Sequence, residues 1–255
     1  MIDIHSHILP QIDDGASHME ESVSMAKEAV AQGIHTIVAT PHHLNGRYEN
    51  YKMDIVELVE RLNERLLEDN IPLTVLPGQE TRINGEMISD LEQGDLLPLN
   101  ITSGYLFVEL PSSNVPRYTS KLLYDLQLHG IKPVIVHPER NKELMENPDQ
   151  LYEFVKNGTL TQVTAASVAG KFGKKIKTFS HQLIESNLTH FIASDAHNTT
   201  TRGFCIQEAF ADIKDNYGNS VVYYFMENAQ YLINGDTVVG DVPERVVRKK
   251  FLGLF

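Results

Sequence analysis

Short runs of apolar and β-branched residues alternate along the chain with longer stretches of helical period. The runs fall at 2–5, 36–39, 73–76, 105–109, 133–137, 160–163 and 190–193, each bounded by turn or polar residues, and each is expected to form a strand. The stretches between them are expected to be helices. Ser17 with Glu20 gives a capping-box pattern around Met19, Val23, Ala26 and Val30, which recur at helical steps until Gly33 stops the helix. Ile55, Val59, Leu62 and Leu66 form a second apolar stripe, and Tyr118, Leu122, Asp125, Leu126 and His129 a looser third before Gly130. Further helices are expected near 148–157, 175–187 and 203–215.

Strands and helices in this alternation pair in parallel through right-handed crossovers. About seven such units predict an α/β fold that closes, or nearly closes, into a TIM-like barrel, with an open doubly wound sheet as the alternative. No repeat or low-complexity spacer interrupts the 255 residues, so a single domain over 1–255 is expected. A tail begins at about residue 245, where Arg248-Lys249-Lys250 precedes Phe251-Leu252-Gly253-Leu254-Phe255. So few basic residues give only marginal affinity for an anionic membrane, and the tail is expected to pack locally or stay mobile.

Composition narrows the partners. With 42% apolar and 22% charged residues, disordered and fibrous architectures are excluded. The 34 acidic against 22 basic side chains give a formal net charge of −12, which disfavours nucleic acid and anionic bilayers as partners. An anionic substrate then has to be held by local charges or metal ions. Cys205, the only cysteine, excludes an internal disulfide, a cysteine zinc cage and an iron–sulfur cluster, and fits a reducing cytoplasm. No export signal is expected at the N-terminus, and no apolar run approaches the roughly 20 residues of a membrane span.

The polar residues at the strand ends are nearly all histidines and carboxylates. They stand in Ile4-His5-Ser6-His7, Thr40-Pro41-His42-His43, Gly78-Gln79-Glu80, Val108-Glu109-Leu110, Val136-His137-Pro138-Glu139-Arg140 and Ser194-Asp195-Ala196-His197. His5 and His7, two apart on a strand, share a face as a chelating pair requires. Any one of these residues alone has an ordinary structural reading. Their recurrence at one rim points instead to a multinuclear metal site, because so many buried ionisable groups need cations as compensation. Asp13-Asp14-Gly15 is balanced between a helix-capping turn and a ligand role for Asp14. His18, His35, His129, His181 and His190 take structural readings, and His43 is expected to support the ligands rather than bind. Imidazole and carboxylate without thiolate suit Mn²⁺, Fe²⁺ or Zn²⁺, with manganese the first choice.

His5-Ser6-His7, Asp13-Asp14-Gly15, Thr40-Pro41-His42-His43, Gly78-Gln79-Glu80, His137-Pro138-Glu139-Arg140 and Ser194-Asp195-Ala196-His197-Asn198 together resemble the PHP (polymerase and histidinol phosphatase) superfamily. More closely, over essentially the whole length, the chain is similar to the bacterial metal-dependent tyrosine-protein phosphatases of the YwqE/CpsB/CapC type. That resemblance implies a distorted (β/α)7 barrel with three divalent ions at its mouth, manganese first and iron, zinc or magnesium as alternatives. It implies that His5, His7, Glu80 and Asp195 hold the first ion. Glu80 would bridge to a second ion completed by Glu109 and His137, while Asp14, His42 and His197 would hold the third. Arg140 and Arg202 match the family's pair of catalytic, phosphate-gripping arginines, and guanidinium forks suit a phosphate dianion.

The implied substrate is a phosphotyrosine protein, a bacterial tyrosine autokinase that regulates capsule or exopolysaccharide synthesis. The implied chemistry is hydrolysis by metal-activated water. Cysteine chemistry gains no support, because Cys205 is followed by Ile206-Gln207-Glu208-Ala209-Phe210-Ala211 without the arginine of a phosphate cradle. Cys205 is expected to be a packing residue. A small phosphomonoester such as histidinol phosphate, or a non-catalytic kinase-binding role, remains as an alternative, and an oligomer is possible.

Overall fold

Every apolar run foreseen as a strand is one in the computed structural model, which describes residues 1–247. In chain order the strands are β1 (Ile2–Ser6), β2 (Thr36–Ala39) with its continuation β3 (His42–His43), and β4 (Thr74–Pro77) with its continuation β5 (Glu80–Arg82). They continue with β6 (Tyr105–Glu109), β7 (Lys132–Val136), β8 (Leu160–Thr164) and β9 (Phe191–Ala193). All pairings are parallel, in the orders β1-β2-β4 and β3-β5-β6-β7-β8-β9. The wall then closes on itself: Asp195 N donates to His5 O at 2.9 Å and His7 N to Ala196 O at 2.8 Å, and Ser6 bridges Ala196. The result is a distorted barrel, not an open sheet with a switch point.

The distortion has local causes. Pro41 has no N–H and interrupts the run between β2 and β3. Gly78 separates β4 from β5 at a close approach, where a Cβ would come within 2.7 Å of Leu99 Cδ2 and 2.8 Å of Val38 Cγ1. In β1 the register against β2 shifts between Asp3 and Ser6. Such a bulge re-aims side chains, and here it lets His5 follow Ile4 to the inside, where its ring lies 5.0 Å from Phe107.

The helices are α1 (Met19–Ala31), α2 (Lys52–Glu68), α3 (Met87–Gln93), α4 (Thr119–Leu128), α5 (Lys142–Glu146), α6 (Pro148–Lys156), α7 (Ala165–Val168), α8 (Lys174–Glu185), α9 (Ile206–Tyr217) and α10 (Asn219–Asn234). Helix α2 buries the foreseen Ile55, Val59, Leu62 and Leu66. At α1 the expected capping box is displaced by one residue. His18 is the N-cap, its side chain accepting from Glu21 N, while Glu21 reaches back to Ser17 N at 2.8 Å and Ser17 Oγ at 2.6 Å. Glu20 is exposed and takes no part in that exchange. The reciprocal geometry survives because Glu21 stands three residues after the true cap.

Alternate strand residues divide the core in two. Ile4, Val38, Phe107, Val134, Val136, Phe191 and Ala193 form the inner cluster, whereas Ile37, Val75, Leu106, Val108, Ile135, Val163 and Ile192 meet the helices outside. Helix α10, unforeseen from sequence, adds Ala229 and Leu232 to the inner cluster and packs against β1 and β9. It thereby closes the end of the barrel opposite the mouth. Arg245, at the start of the tail, pairs with Asp149 at 3.0 Å and Glu153 at 2.7 Å over the Tyr152 ring, so that part packs on α6. The rest of the tail, 248–255, lies outside the described residues.

Candidate metal centre

Strand ends deliver His5, His7, His42, Glu80, Glu109, His137, Asp195 and His197 to one end of the barrel, and the loop after β1 adds Asp14. His137 and Asp195, just past β7 and β9, take left-handed backbone at φ 37° and 53°. Such conformations in non-glycine residues cost of order 1–3 kcal/mol and persist where surroundings enforce them; here both turn a side chain into the mouth. Gly15 lets the Asp13–Asp14 loop lie against β1, since a Cβ there would overlap His7 O and sit 2.6 Å from His7 Cβ.

The side chains converge in three groups. His5 Nε2 faces Glu80 Oε2 and Asp195 Oδ1, each at 3.5 Å, and His7 Nε2 faces the same two oxygens at 3.3 and 3.4 Å. His137 Nε2 lies 2.7 Å from Glu80 Oε1, and His42 Nδ1 stands 2.8 Å from Glu80 Oε2 and 3.8 Å from Glu109 Oε2. Asp14 Oδ1 is 3.4 Å from both His42 Nε2 and His197 Nε2. His42 therefore stands between the second and third groups, and His7 is close enough to join Asp14, His42 and His197.

The donor set fits divalent cations. His5 Nδ1 bonds Gln162 Oε1 at 2.8 Å, His7 Nδ1 bonds Asp13 Oδ2 at 2.5 Å, and His197 Nδ1 bonds Asp195 O at 2.9 Å. Each contact fixes a tautomer that presents Nε2 as a lone pair, the arrangement metal-ligating histidines favour. Those three Nε2 atoms, together with Glu80 Oε2 and Glu109 Oε2, are buried without a hydrogen-bond partner. Buried acceptors left unpaired in one place are costly unless a cation meets them.

The electrostatics are strongly coupled. Burial would raise the Glu80 and Asp195 carboxyls, yet His42 and His5 around Glu80, and Arg140 beside Asp195, hold both well below the usual range. Burial, with the neighbouring Glu80 charge, pushes Glu109 up to about 7. Burial and the Arg140 charge bring His137 down to about 4.

Beside the cluster opens a cleft of about 270 Å³ lined by His42, Glu109, Leu110, His137, Arg140 and Arg202, among others. Asp195 Oδ2 holds both guanidinium groups, at 2.7 Å from Arg140 and 3.3 Å from Arg202. Arg140 rides on a 3-10 turn, Pro138–Arg140, anchored by buried Glu139, whose Oε1 accepts from Thr164 N at 3.1 Å and Ser167 Oγ at 2.6 Å.

Three supporting residues escaped the sequence analysis. Asp13 orients His7, Gln162 on β8 orients His5, and Asp3 accepts from Ser194 N at 2.9 Å and Ser194 Oγ at 2.5 Å, tying β1 to the Asp195 turn. Asp13 stood in a recognisable Asp-Asp-Gly motif; a glutamine inside a strand carries no such signal. His43, expected to support the ligands, instead lies buried with its ring edge-on to Tyr51 at 5.1 Å. It follows His42 on a strand, so its side chain leaves on the opposite face. His18, His35, His129, His181 and His190 all lie away from the cluster, and Cys205 packs partly buried against the main core.

By fold and donor set this is a parallel α/β barrel of the kind that gathers imidazole and carboxylate at its mouth. The chain belongs to the CpsB/CapC family of capsular polysaccharide synthesis, whose family model matches residues 1–234. It is 51% identical over 255 residues, all of both chains, to the tyrosine-protein phosphatase YwqE of Bacillus subtilis. It is 38% identical over 260 residues, again all of both chains, to the putative tyrosine-protein phosphatase CapC of Staphylococcus aureus. Crystal structures of YwqE from Bacillus subtilis and CpsB from Streptococcus pneumoniae, described as unique metal-dependent tyrosine phosphatases, include a chain that superposes with a TM-score of 0.95 at 51% identity. The match covers 97% of this chain and 100% of that one.

Proposed function

We propose that this chain, acting as one unit over 1–255, is a metal-dependent protein-tyrosine phosphatase of the cytoplasm whose substrate is a bacterial tyrosine autokinase in capsule or exopolysaccharide synthesis. The observation that carries the reading is the convergence of unpaired histidine and carboxylate atoms beside two arginines held by one aspartate. Three ions, manganese first, would be held by His5, His7, Glu80 and Asp195, by Glu80, Glu109 and His137, and by Asp14, His42 and His197. Divalent ions so bound would bring the pKa of a coordinated water down to about 7 and draw charge from phosphoryl oxygens.

The chain's own residues do the rest. Arg140 and Arg202 use the N–H donors not engaged by Asp195 to grip non-bridging phosphate oxygens and neutralise charge as the phosphoryl group transfers. Asp195 keeps both guanidinium groups on the same side of the cleft, which sets the orientation of the phosphate. Asp13 and Gln162 keep the Nδ1 protons of His7 and His5 in place, so neither ring turns away. A phenolate leaving group, with a pKa near 10, demands little proton donation. Among the described residues no helix is long and apolar enough to cross a membrane.

The test is a side-by-side assay of a phosphotyrosine peptide, histidinol phosphate and single-stranded DNA, before and after chelation. Turnover of the phosphopeptide that disappears with chelator and returns with Mn²⁺ is expected. Faster turnover of histidinol phosphate overturns the substrate, and metal-independent turnover overturns the chemistry.

A further inference from the structure

Tyr48 lies on the loop that follows β3. Its ring is nearly parallel to that of His42, with 9° between planes and 6.2 Å between centroids. Asn45 Oδ1 accepts from Arg47 N at 3.0 Å and from Tyr48 N at 2.9 Å, and the Arg47 guanidinium carbon sits 4.9 Å from the Tyr48 ring centroid. An aromatic side chain is thus held, not free, next to a residue that lines the cleft. The Tyr48 hydroxyl makes no hydrogen bond among the described residues, so hydroxyl pairing does not account for its position.

We propose that Tyr48 is a specificity-determining residue that packs against the phenyl ring of the substrate and selects aryl over alkyl phosphomonoesters. This rests on the phosphatase reading above. A phosphate gripped by Arg140 and Arg202 is separated from its aryl ring by a single bridging oxygen, so the ring stays close to the cleft that His42 lines together with those arginines, and Tyr48 is stacked on His42. Leu110, Val136 and Pro138 give the cleft beside His42 apolar surface, and Tyr48 extends it from behind the His42 ring. Rings in an offset parallel arrangement attract beyond the area they bury. An alkyl phosphate such as phosphoserine offers only a methylene there.

The experiment compares kcat/KM of the Mn²⁺-loaded full chain for a phosphotyrosine peptide and for the same peptide carrying phosphoserine, in wild type, Tyr48→Ala and Tyr48→Phe. The better leaving group of the aryl ester contributes equally in all three, so the change in the aryl-to-alkyl ratio isolates the ring contact. Tyr48→Ala is expected to lower that ratio about tenfold, through KM of the phosphotyrosine peptide, while Tyr48→Phe keeps it. Competitive inhibition by phenylphosphonate and methylphosphonate gives the same ratio where phosphoserine turnover is too slow to follow. A ratio unchanged in Tyr48→Ala, with both substrates falling together, overturns the role of Tyr48. A wild type that leaves phosphotyrosine intact overturns the phosphatase reading itself, and that is visible before any variant is made.

Discussion

The Asp13 carboxylate accepts from His7 Nδ1 at 2.5 Å, and the opposite nitrogen, Nε2, consequently faces Glu80 and Asp195 as a lone pair. Burial would raise the Asp13 carboxyl, but the adjoining His7 ring, bonded through Nδ1, and the Gly15 N–H hold it below the usual range, so it remains an acceptor. Asp13 Oδ2 also takes the His42 N–H at 3.1 Å, which couples two strand ends through one side chain. Asp13→Ala is expected to weaken metal affinity about 10–100-fold without loss of the barrel. Metal titration by calorimetry, paired with circular dichroism, checks both halves of that statement.

Gly15 sets how closely that loop approaches β1. A Cβ at this position overlaps His7 O, and the neighbouring Ala16 N donates to that same oxygen at 3.2 Å. Gly15→Ala must therefore push the loop away and carry Asp13 and Asp14 with it. The expected result is a loss of about 2–4 kcal/mol together with weaker metal binding. Gly85→Ala, where a Cβ meets nothing within 4 Å, is the control that stays near neutral. Chemical denaturation of the two variants separates them.

Cation binding to the native state alone stabilises it by mass action, about 2.7 kcal/mol at a hundredfold excess over Kd. Chelator is thus expected to lower the melting temperature as well as stop turnover, and graded Mn²⁺ to restore both in parallel. A melting temperature indifferent to chelator counts against cations at the mouth.

The barrel strands were legible because short apolar runs bounded by turn residues leave few alternatives. The His-x-His and Asp-x-His pairs stood out for the same kind of reason, a spacing that one strand or turn presents on one side. Helix α10 was not legible: Val222-Tyr223-Tyr224-Phe225-Met226 is apolar nearly all round its first turns, and its aromatics favour strands as much as helices. What organises it is tertiary, the fit of Ala229 and Leu232 into the end of the barrel. The supporting contacts of Gln162 and Asp3 were hidden likewise, because they join residues 157 and 191 positions apart in the chain.

His190 supplies a pH dependence unrelated to the metal cluster. Burial pushes its imidazole from the ordinary 6.5 down to about 4. Between those values the unfolded chain binds a proton that the native state does not, so stability rises with pH through this window and levels off above it. The loss on acidification is about 3 kcal/mol from this group. Denaturant midpoints across that range should fall more steeply in wild type than in His190→Gln, and an NMR titration of the folded His190 ring near its ordinary value rules the explanation out.

Arg140 is the residue whose loss should separate binding of cations from turnover. Its guanidinium meets Asp195 Oδ2 at 2.7 Å and lies 5.6 Å from the Phe172 ring centroid, a planar group held between a carboxylate and an aromatic face. Lysine keeps the charge but has neither the fork nor the flat surface, so Arg140→Lys is not a conservative change. Removing one preorganised donor from a site where charge develops costs about 10²–10³ in rate. Arg140→Lys is accordingly expected to lower kcat/KM for a phosphotyrosine peptide about a hundredfold while metal content per chain, measured by elemental analysis, stays that of wild type. If metal content falls in step with turnover, Arg140 acts through Asp195 on the cluster and not on the phosphate.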